Sequence, residues 1–373
     1  MRCPRIDVDL RKIRNNTRTV VELLKGRGIR VTAVTKAVCG HPAIAQAVLD
    51  GGAEGLAEAR LSNVKRLRQA GMTCPITLIR TPMLSQVDDV VRHCEASYNT
   101  EVSVIEALAA AALRKNKVHG IVLMVEMGDL REGIRPQYVG ELARRVVAMP
   151  GVVLKGIGAN FTCLSGIAPT AAKMQALSEL ANDVEGQCGP FLQTISGGNS
   201  ANLPWAFGTL GTGRINDLRL GEALLLGVDP ITGDQIGGLS RDAFTLVAEV
   251  IETDEKPAYP SVSHARRNVA GIQIVSDTSE TTRIILALGR QDMDAAGLSM
   301  PLGSTLIGAT SDHLVIGVED ATLCVGSEMR FQMNYSGLMQ AMAAPDVHVN
   351  LRNDRPAPNT QYVQGPNKHL ELV

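Results

Sequence analysis

The chain has few aromatic side chains: five Phe, five Tyr and one Trp among 373 residues. Its core must therefore be built from Val, Ile, Leu, Ala and Met. It also lacks an excess of either charge, with 37 Lys and Arg against 38 Asp and Glu. A net charge of -1 gives no basic field for nucleic acid and does not mark a disordered acidic chain. The seven cysteines, at 3, 39, 74, 94, 163, 188 and 324, are odd in number and scattered, and no CxxC pair occurs. Neither a zinc site nor a disulfide framework is indicated, and no metal is expected. No uninterrupted apolar run reaches membrane-spanning length, and Met1–Asp7 lacks the apolar core of a signal peptide. A soluble, cytoplasmic protein is expected, without repeats beyond a βα period and without low-complexity tracts.

What the chain does have is glycine, 36 residues of it, and a regular alternation. Asp9 is a good N-cap. Leu10, Ile13, Val20, Val21 and Leu24 then recur at helical spacing before glycines at 26 and 28. Helical stretches are predicted near 43–50, 58–70, 84–93, 101–115, 137–148, 170–185 and 200–208. Between them lie apolar runs at 30–35, 55–57, 76–79, 96–98, 120–126, 152–158, 191–195 and 214–218. Eight βα units over roughly 220 residues fit a (β/α)8 TIM-type barrel across residues 1–238. A doubly wound open sheet is the alternative and would usually need fewer units. After residue 240 the texture changes to closely spaced β-type runs at 244–252, 271–276, 282–289, 304–308, 313–318 and 329–334. These predict a C-terminal all-β domain over 239–350, entered through Gly-Asp-Gln-Ile-Gly-Gly. Residues 351–373, rich in Pro, Asn and Gln, read as a loosely held tail.

Barrel active sites lie at the C-terminal ends of the strands. At the end of the first run stands Lys36, in Arg-Val-Thr-Ala-Val-Thr-Lys-Ala-Val-Cys-Gly-His. Either it ends the strand in solvent, or it is a partly buried amine suited to Schiff-base chemistry. Later strand ends bring Asp129-Leu130-Arg131, Asn160–Ser165, Ser196-Gly197-Gly198-Asn199-Ser200 and Arg219. The Ser-Gly-Gly-Asn-Ser loop is either a plain turn or a phosphate cradle, with converging backbone N–H groups and added donors from Asn199 and Ser200. A lysine and a phosphate cradle at one mouth point to pyridoxal 5'-phosphate, bound to Lys36 and faced by a residue at the pyridine nitrogen.

Ala-Val-Thr-Lys36-Ala resembles the cofactor-lysine motif of the alanine racemase family, the fold-type III pyridoxal-phosphate enzymes. Arg219-Leu-Gly221-Glu222-Ala-Leu-Leu-Leu-Gly227 is similar to that family's Arg-x-Gly-x-Ala segment, and Asn199-Ser200 to its phosphate-binding pair. The resemblance covers about residues 5–350. It implies Arg219 at the pyridine nitrogen, with Ser196, Gly197, Asn199, Ser200, Gly221, Glu222 and Tyr335 around the rest of the cofactor. Stretches at 128–133, 160–166, 195–200, 289–294 and 311–314 resemble the ornithine racemase branch. They imply substrate contacts at Arg131, Asn160, Asp292 and Met293. The implied activity is racemisation of a small or basic amino acid, with ornithine as the branch-level expectation, in a head-to-tail homodimer. An epimerase, decarboxylase or aldolase of the same fold is the rival, as is a cofactor carrier without turnover; the full β domain argues against the last.

Two residue-level readings accompany the resemblance. A guanidinium only donates, so Arg219 would leave the pyridine nitrogen unprotonated and favour simple proton exchange at Cα. Arg131 could fork onto a carboxylate or the cofactor's phenolic oxygen, or pair at the surface with Asp129 or Glu132. The chain also departs from the family. It lacks the Gly-Tyr-Ala-Asp segment whose tyrosine serves the second face of Cα, carries Gly40 where a tyrosine follows the lysine, and has Asn160 in place of a ring-stacking histidine. For the second acid, Cys163, Tyr259, His264 and Asp292 qualify by type, with Cys163 first. Its alternative is a small thiol that packs the loop. Glu222 or Asp292 could instead hold a cationic substrate side chain.

Overall fold

The computed structural model describes residues 2–189, 191–256, 281–319 and 322–352. It separates into two compact units, one spanning Arg11–Arg241 and one joining the first ten positions to the segment from Asp242 onward.

The chain enters through β1 (Arg5–Asp9) and passes directly into helix α1 (Leu10–Lys25). Ile13, Val20 and Leu24 form the buried stripe of α1. The same face carries Asn16, whose carboxamide donates to Ser240 O at 2.9 Å and accepts from Ser240 N at 2.7 Å.

Eight parallel strands then close a barrel: β2 (Arg30–Val34), β3 (Gly55–Glu58), β4 (Ile76–Leu78), β5 (Ala96–Asn99), β6 (His119–Glu126), β7 (Val152–Asn160), β8 (Thr194–Ser196) and β9 (Asp217–Leu220). Helices lie between successive strands, so the strands are covered on both sides. This explains why β6 is buried along nearly its whole length and reads as a continuous apolar run. Two strands are shifted from the sequence expectation. Phe191, expected in a strand, is exposed, and the Arg214 guanidinium lies 5.5 Å from its ring centre while pairing with Glu185 at 2.7 Å. That surface cluster keeps residues 191 and 214 out of the barrel, and the two strands begin three residues later, at 194 and 217.

The second unit is antiparallel. It comprises β10 (Phe244–Lys256), β11 (Thr281–Leu286), β12 (Leu298–Ser299), β13 (Ser304–Ala309), β14 (Leu314–Val318), β15 (Glu328–Met333) and β16 (His348–Arg352), in the order β12-β15-β10-β11-β14-β13. The strand β1 belongs here, antiparallel to β10 and parallel to β16. This corrects the assignment of residues 2–10 to the barrel. The reason lies in its alternation: Ile6 and Val8 are fully buried, while Arg5 and Asp7 are buried and paired. Arg5 forks onto Glu328 at 2.6 and 2.7 Å, and Asp7 accepts from Arg330 at 3.0 Å and Asn350 at 2.7 Å and also pairs with Arg352. Leu351 and Arg352 end β16. The remainder of the expected tail, the run at 271–276, Tyr259 and His264 lie outside the described residues. Among the described residues no helix is long and apolar enough to cross a membrane, and no cluster of metal-ligating side chains is found.

Candidate active site

The three motifs singled out in the sequence sit on three consecutive barrel strands. The central strand β9 pairs with β2 on one side, Ala33 opposite Leu220, and with β8 on the other, Ser196 opposite Asp217. Lys36, Ser196–Ser200 and Arg219–Glu222 therefore share one stretch of the barrel's C-terminal rim.

Lys36 opens a one-turn 3-10 helix, Lys36–Val38. The turn winds around the Thr35 carbonyl, which accepts from Val38 N at 3.2 Å and Gly40 N at 3.1 Å. Thr35 N donates to Ala57 O of β3 at 3.2 Å, so the turn is anchored to the neighbouring strand. Lys36 is half-buried, and among the described residues its ammonium has no hydrogen-bond or ion-pair partner. Two carboxyls feel its charge. Glu58 is pushed up to about 7 by burial, and Glu222 to about 7 by burial and by repulsion from Asp229; in both, Lys36 pulls the other way.

Arg219 is 5% exposed and projects into the barrel. One terminal nitrogen donates to Ser196 Oγ at 2.5 Å and to Tyr98 Oη at 3.3 Å, and the other to Ala159 O at 2.8 Å. The guanidinium lies over the Tyr98 ring at 4.7 Å. Ser196 Oγ in turn donates to Asp217 Oδ2 at 2.5 Å, and Thr32 Oγ1 donates to Asp217 Oδ1 at 2.6 Å. A glycine is required at 158 because a Cβ there would come within 2.9 Å of Tyr98 and 3.0 Å of Ser196. The result is a rigid cation with its Nε–H left without an acceptor among the described residues. Burial raises the pKa of Tyr98, which stays a neutral phenol under the arginine.

The loop after β8 is held by its own side chains. Asn199 Oδ1 accepts from Ala201 N at 2.9 Å, Asn202 Oδ1 accepts from Asn199 N at 3.0 Å, and Asn202 Nδ2 donates to Gly197 O at 2.7 Å. Gly198 has φ +126, and a Cβ there would fall on the Asn202 carboxamide, so this turn demands glycine. Ser200 Oγ accepts from Ala223 N at 3.2 Å, which ties the loop to the Gly221–Glu222 corner.

A polar relay links this loop to the loops after β6 and β7. Asn199 Nδ2 donates to Asn160 Oδ1 at 2.9 Å, and Asn160 Nδ2 donates to Asp129 Oδ2 at 2.6 Å. Asp129 Oδ1 accepts from Leu164 N at 2.8 Å and Ser165 N at 3.0 Å, holding the loop that carries Cys163. Burial works against the Asp129 carboxylate, yet these donors and Arg131 keep its pKa below the usual value. Arg131 is paired with Glu132 and lies 3.9 Å from Asp129, the surface pairing that its sequence context allowed. Burial lowers the pKa of Arg131, but Glu132, Cys163 and Asp129 outweigh that and raise it. Cys163 is exposed, so it does not pack the loop interior.

The remaining sequence candidates lie in the antiparallel unit. Asp292 accepts from Gly289 N at 2.9 Å, Met293 is fully buried, and Tyr335 opens the helix Tyr335–Ala343 after the N-cap Asn334. Sequence reasoning missed Thr35, Glu58, Tyr98 and Asp217 as parts of the site. Tyr98 and Asp217 each lie in a strand run, but those runs are too short to mark an inward face.

The family model for the alanine racemase N-terminal domain matches residues 8–229. The chain is 32% identical to the ornithine racemase of Acetoanaerobium sticklandii, over 93% of this chain and 99% of that protein. It is 35% identical to the lysine racemase of Thermotoga maritima, over 92% and 97%. Its fold is similar to that of an alanine racemase from a D-cycloserine producing Streptomyces lavendulae, with TM-score 0.76 and 20% identity over 95% of this chain and 99% of that one. With a match spanning the barrel and a third of all residues shared with two proteins of nearly equal extent, this chain belongs to the alanine racemase family.

Proposed function

We propose that this chain is an amino-acid racemase that uses pyridoxal 5'-phosphate and acts on a basic amino acid such as ornithine or lysine. The observation that carries the reading is the placement of Lys36, the 196–200 loop and Arg219 on adjacent strands at one barrel end. The residues fit the cofactor: an amine and a buried guanidinium N–H that have no partner among the described residues, and a loop whose glycine no Cβ could replace. When bound, the cofactor supplies an electron sink that acidifies the substrate's Cα–H.

Lys36 Nζ would hold the cofactor and carry a proton on one face of Cα. Backbone N–H groups at Gly198 and Gly221–Glu222, with Asn199 and Ser200, would bind the phosphate, while Gly197, whose N–H donates to Asp217 O at 2.9 Å, would shape the turn; Tyr335 is added by the family resemblance. Arg219, which can only donate, would leave the pyridine nitrogen unprotonated; Ser196 holds it in place. Arg131 would exchange its Glu132 contact for the substrate carboxylate. Asn160 would orient the loop beside it, and Cys163 would return a proton on the second face. Glu222 or Asp292, with Met293 behind the latter, would set the preference for a cationic side chain. The names of the two relatives support a basic substrate. A head-to-tail homodimer in the cytoplasm rests on family resemblance, and sedimentation of the purified protein tests the dimer. The activity is tested by incubating the cofactor-loaded protein in heavy water with each antipode of ornithine, lysine, arginine and alanine. Deuterium at Cα with inversion for ornithine or lysine is the expected result. Exchange without inversion, or release of CO2 or an aldehyde, would replace the reading with another reaction of the same fold.

A further inference from the structure

Next to the turn that carries Lys36, at the end of the neighbouring strand β3, lies a carboxyl that the proposed chemistry does not use. Glu58, the last residue of β3, is 0% exposed. Its Oε1 accepts from Thr35 Oγ1 at 2.6 Å and its Oε2 from Asn63 Nδ2 at 3.0 Å. A buried carboxyl is costly unless its oxygens are hydrogen-bonded. Its position suggests a use. Thr35 is fixed by its N–H to Ala57 and by a carbonyl that receives two turn N–H groups, and Glu58 secures its side chain. The next residue is Lys36.

We propose that Glu58 is a positioning residue for Lys36: through Thr35 it fixes the turn that presents the amine, and through its charge it sets how readily that amine gives up a proton. The inference rests on reading Lys36 as the reactive amine, and it assigns a role to a residue that this reading does not itself use. The groups facing Glu58 are Thr35, Lys36 and Cys39 from the turn, the Ala59 backbone, Asn63 from the helix Leu61–Gln69, and Cys94 beyond the helix Val87–His93. Burial raises both thiols, Cys94 to about 12, so neither changes charge near neutrality. Glu58, raised by burial to about 7, does. Ionised Glu58 and the charge of Lys36 attract each other.

The test uses the full-length protein without cofactor and follows modification of Lys36 by trinitrobenzenesulfonate from pH 5.5 to 9, read by peptide mass spectrometry. The wild-type log rate should show an offset near pH 7. Glu58→Gln keeps an acceptor for Thr35 but no charge. It should remove the offset and speed modification at pH 8 on the order of threefold. Thr35→Val removes one donor that favours the carboxylate and should move the offset to higher pH. A purely structural Glu58 would alter melting temperature in either variant and leave the Lys36 profile unchanged, and that result overturns the proposal. If Glu58→Gln does not fold, the direction of the Thr35→Val shift decides alone. Because Lys36 reactivity is read without turnover, a chain that racemises nothing would still show the offset.

Discussion

Asn160 is the hinge of the polar relay across the barrel mouth, and its truncation gives a prediction with a workable magnitude. It is 7% exposed, donates to Asp129 at 2.6 Å and accepts from Asn199 at 2.9 Å. In Asn160→Ala, one oxygen of a buried carboxylate and one amide N–H lose their partners with little water to replace them. Each loss costs about 1–3 kcal/mol, so the variant should be destabilised by about 2–6 kcal/mol. Asp129 keeps Leu164 N and Ser165 N, so the Cys163 loop should persist while Asn199 loosens. Asn199 caps the turn Ser200–Asn202, which would have to be reordered when phosphate binds. Every 1.4 kcal/mol of that cost weakens cofactor affinity about tenfold. Urea unfolding of the cofactor-free protein measures the first quantity. Titration with pyridoxal phosphate, followed by the fluorescence of the single Trp205 in the helix Leu203–Phe207, measures the second. Stability within about 0.5 kcal/mol of wild type together with unchanged affinity would refute the relay as the element that holds the loop.

Three further outcomes follow from the same geometry. Gly198→Ala, at φ +126 and against Asn202, should lose about 1–3 kcal/mol of stability and bind pyridoxal phosphate more weakly than pyridoxal would suggest, measured by paired titrations. Glu58 keeps its proton in the folded protein up to about pH 7 but would lose it near 4.5 when unfolded, so its contribution is full below pH 4.5 and falls as pH rises to about 7, by about 3 kcal/mol; Glu58→Gln should gain that much relative to wild type between pH 4.5 and 8 in urea melts. Cys163→Ser should collapse Cα deuterium exchange from one antipode and largely spare the other, and equal small losses from both would remove Cys163 from the mechanism.

The barrel was legible because parallel strands covered on both sides carry long apolar runs, as β6 does, and because glycines punctuate the turns. Lys36, the 196–200 loop and Arg219 were legible for a related reason: reactive residue types stood where such runs end. The strand β1 was not, because three of its five residues are buried charges, and two of these, Arg5 and Asp7, find partners in Glu328 and Arg330 more than 300 positions away. Glu58 escaped notice because a glutamate at a strand end reads as solvent-facing, and only its donors Thr35 and Asn63 reveal otherwise. Tyr98 and Asp217 sit in strands of four residues, too short for alternation to show which face looks inward. Arg131 carried two meanings in the sequence, and in the structure it takes the local one, with Glu132 as its partner.

The central claim is that Lys36 is the amine that holds the cofactor and exchanges the proton. The most direct measurement loads the protein with pyridoxal phosphate, reduces it with borohydride and maps the labelled peptide by mass spectrometry. The account predicts one pyridoxyl group, on Lys36, and a Lys36→Ala variant that folds, takes no label and does not racemise. A label on another lysine, or racemisation that survives Lys36→Ala, would contradict it.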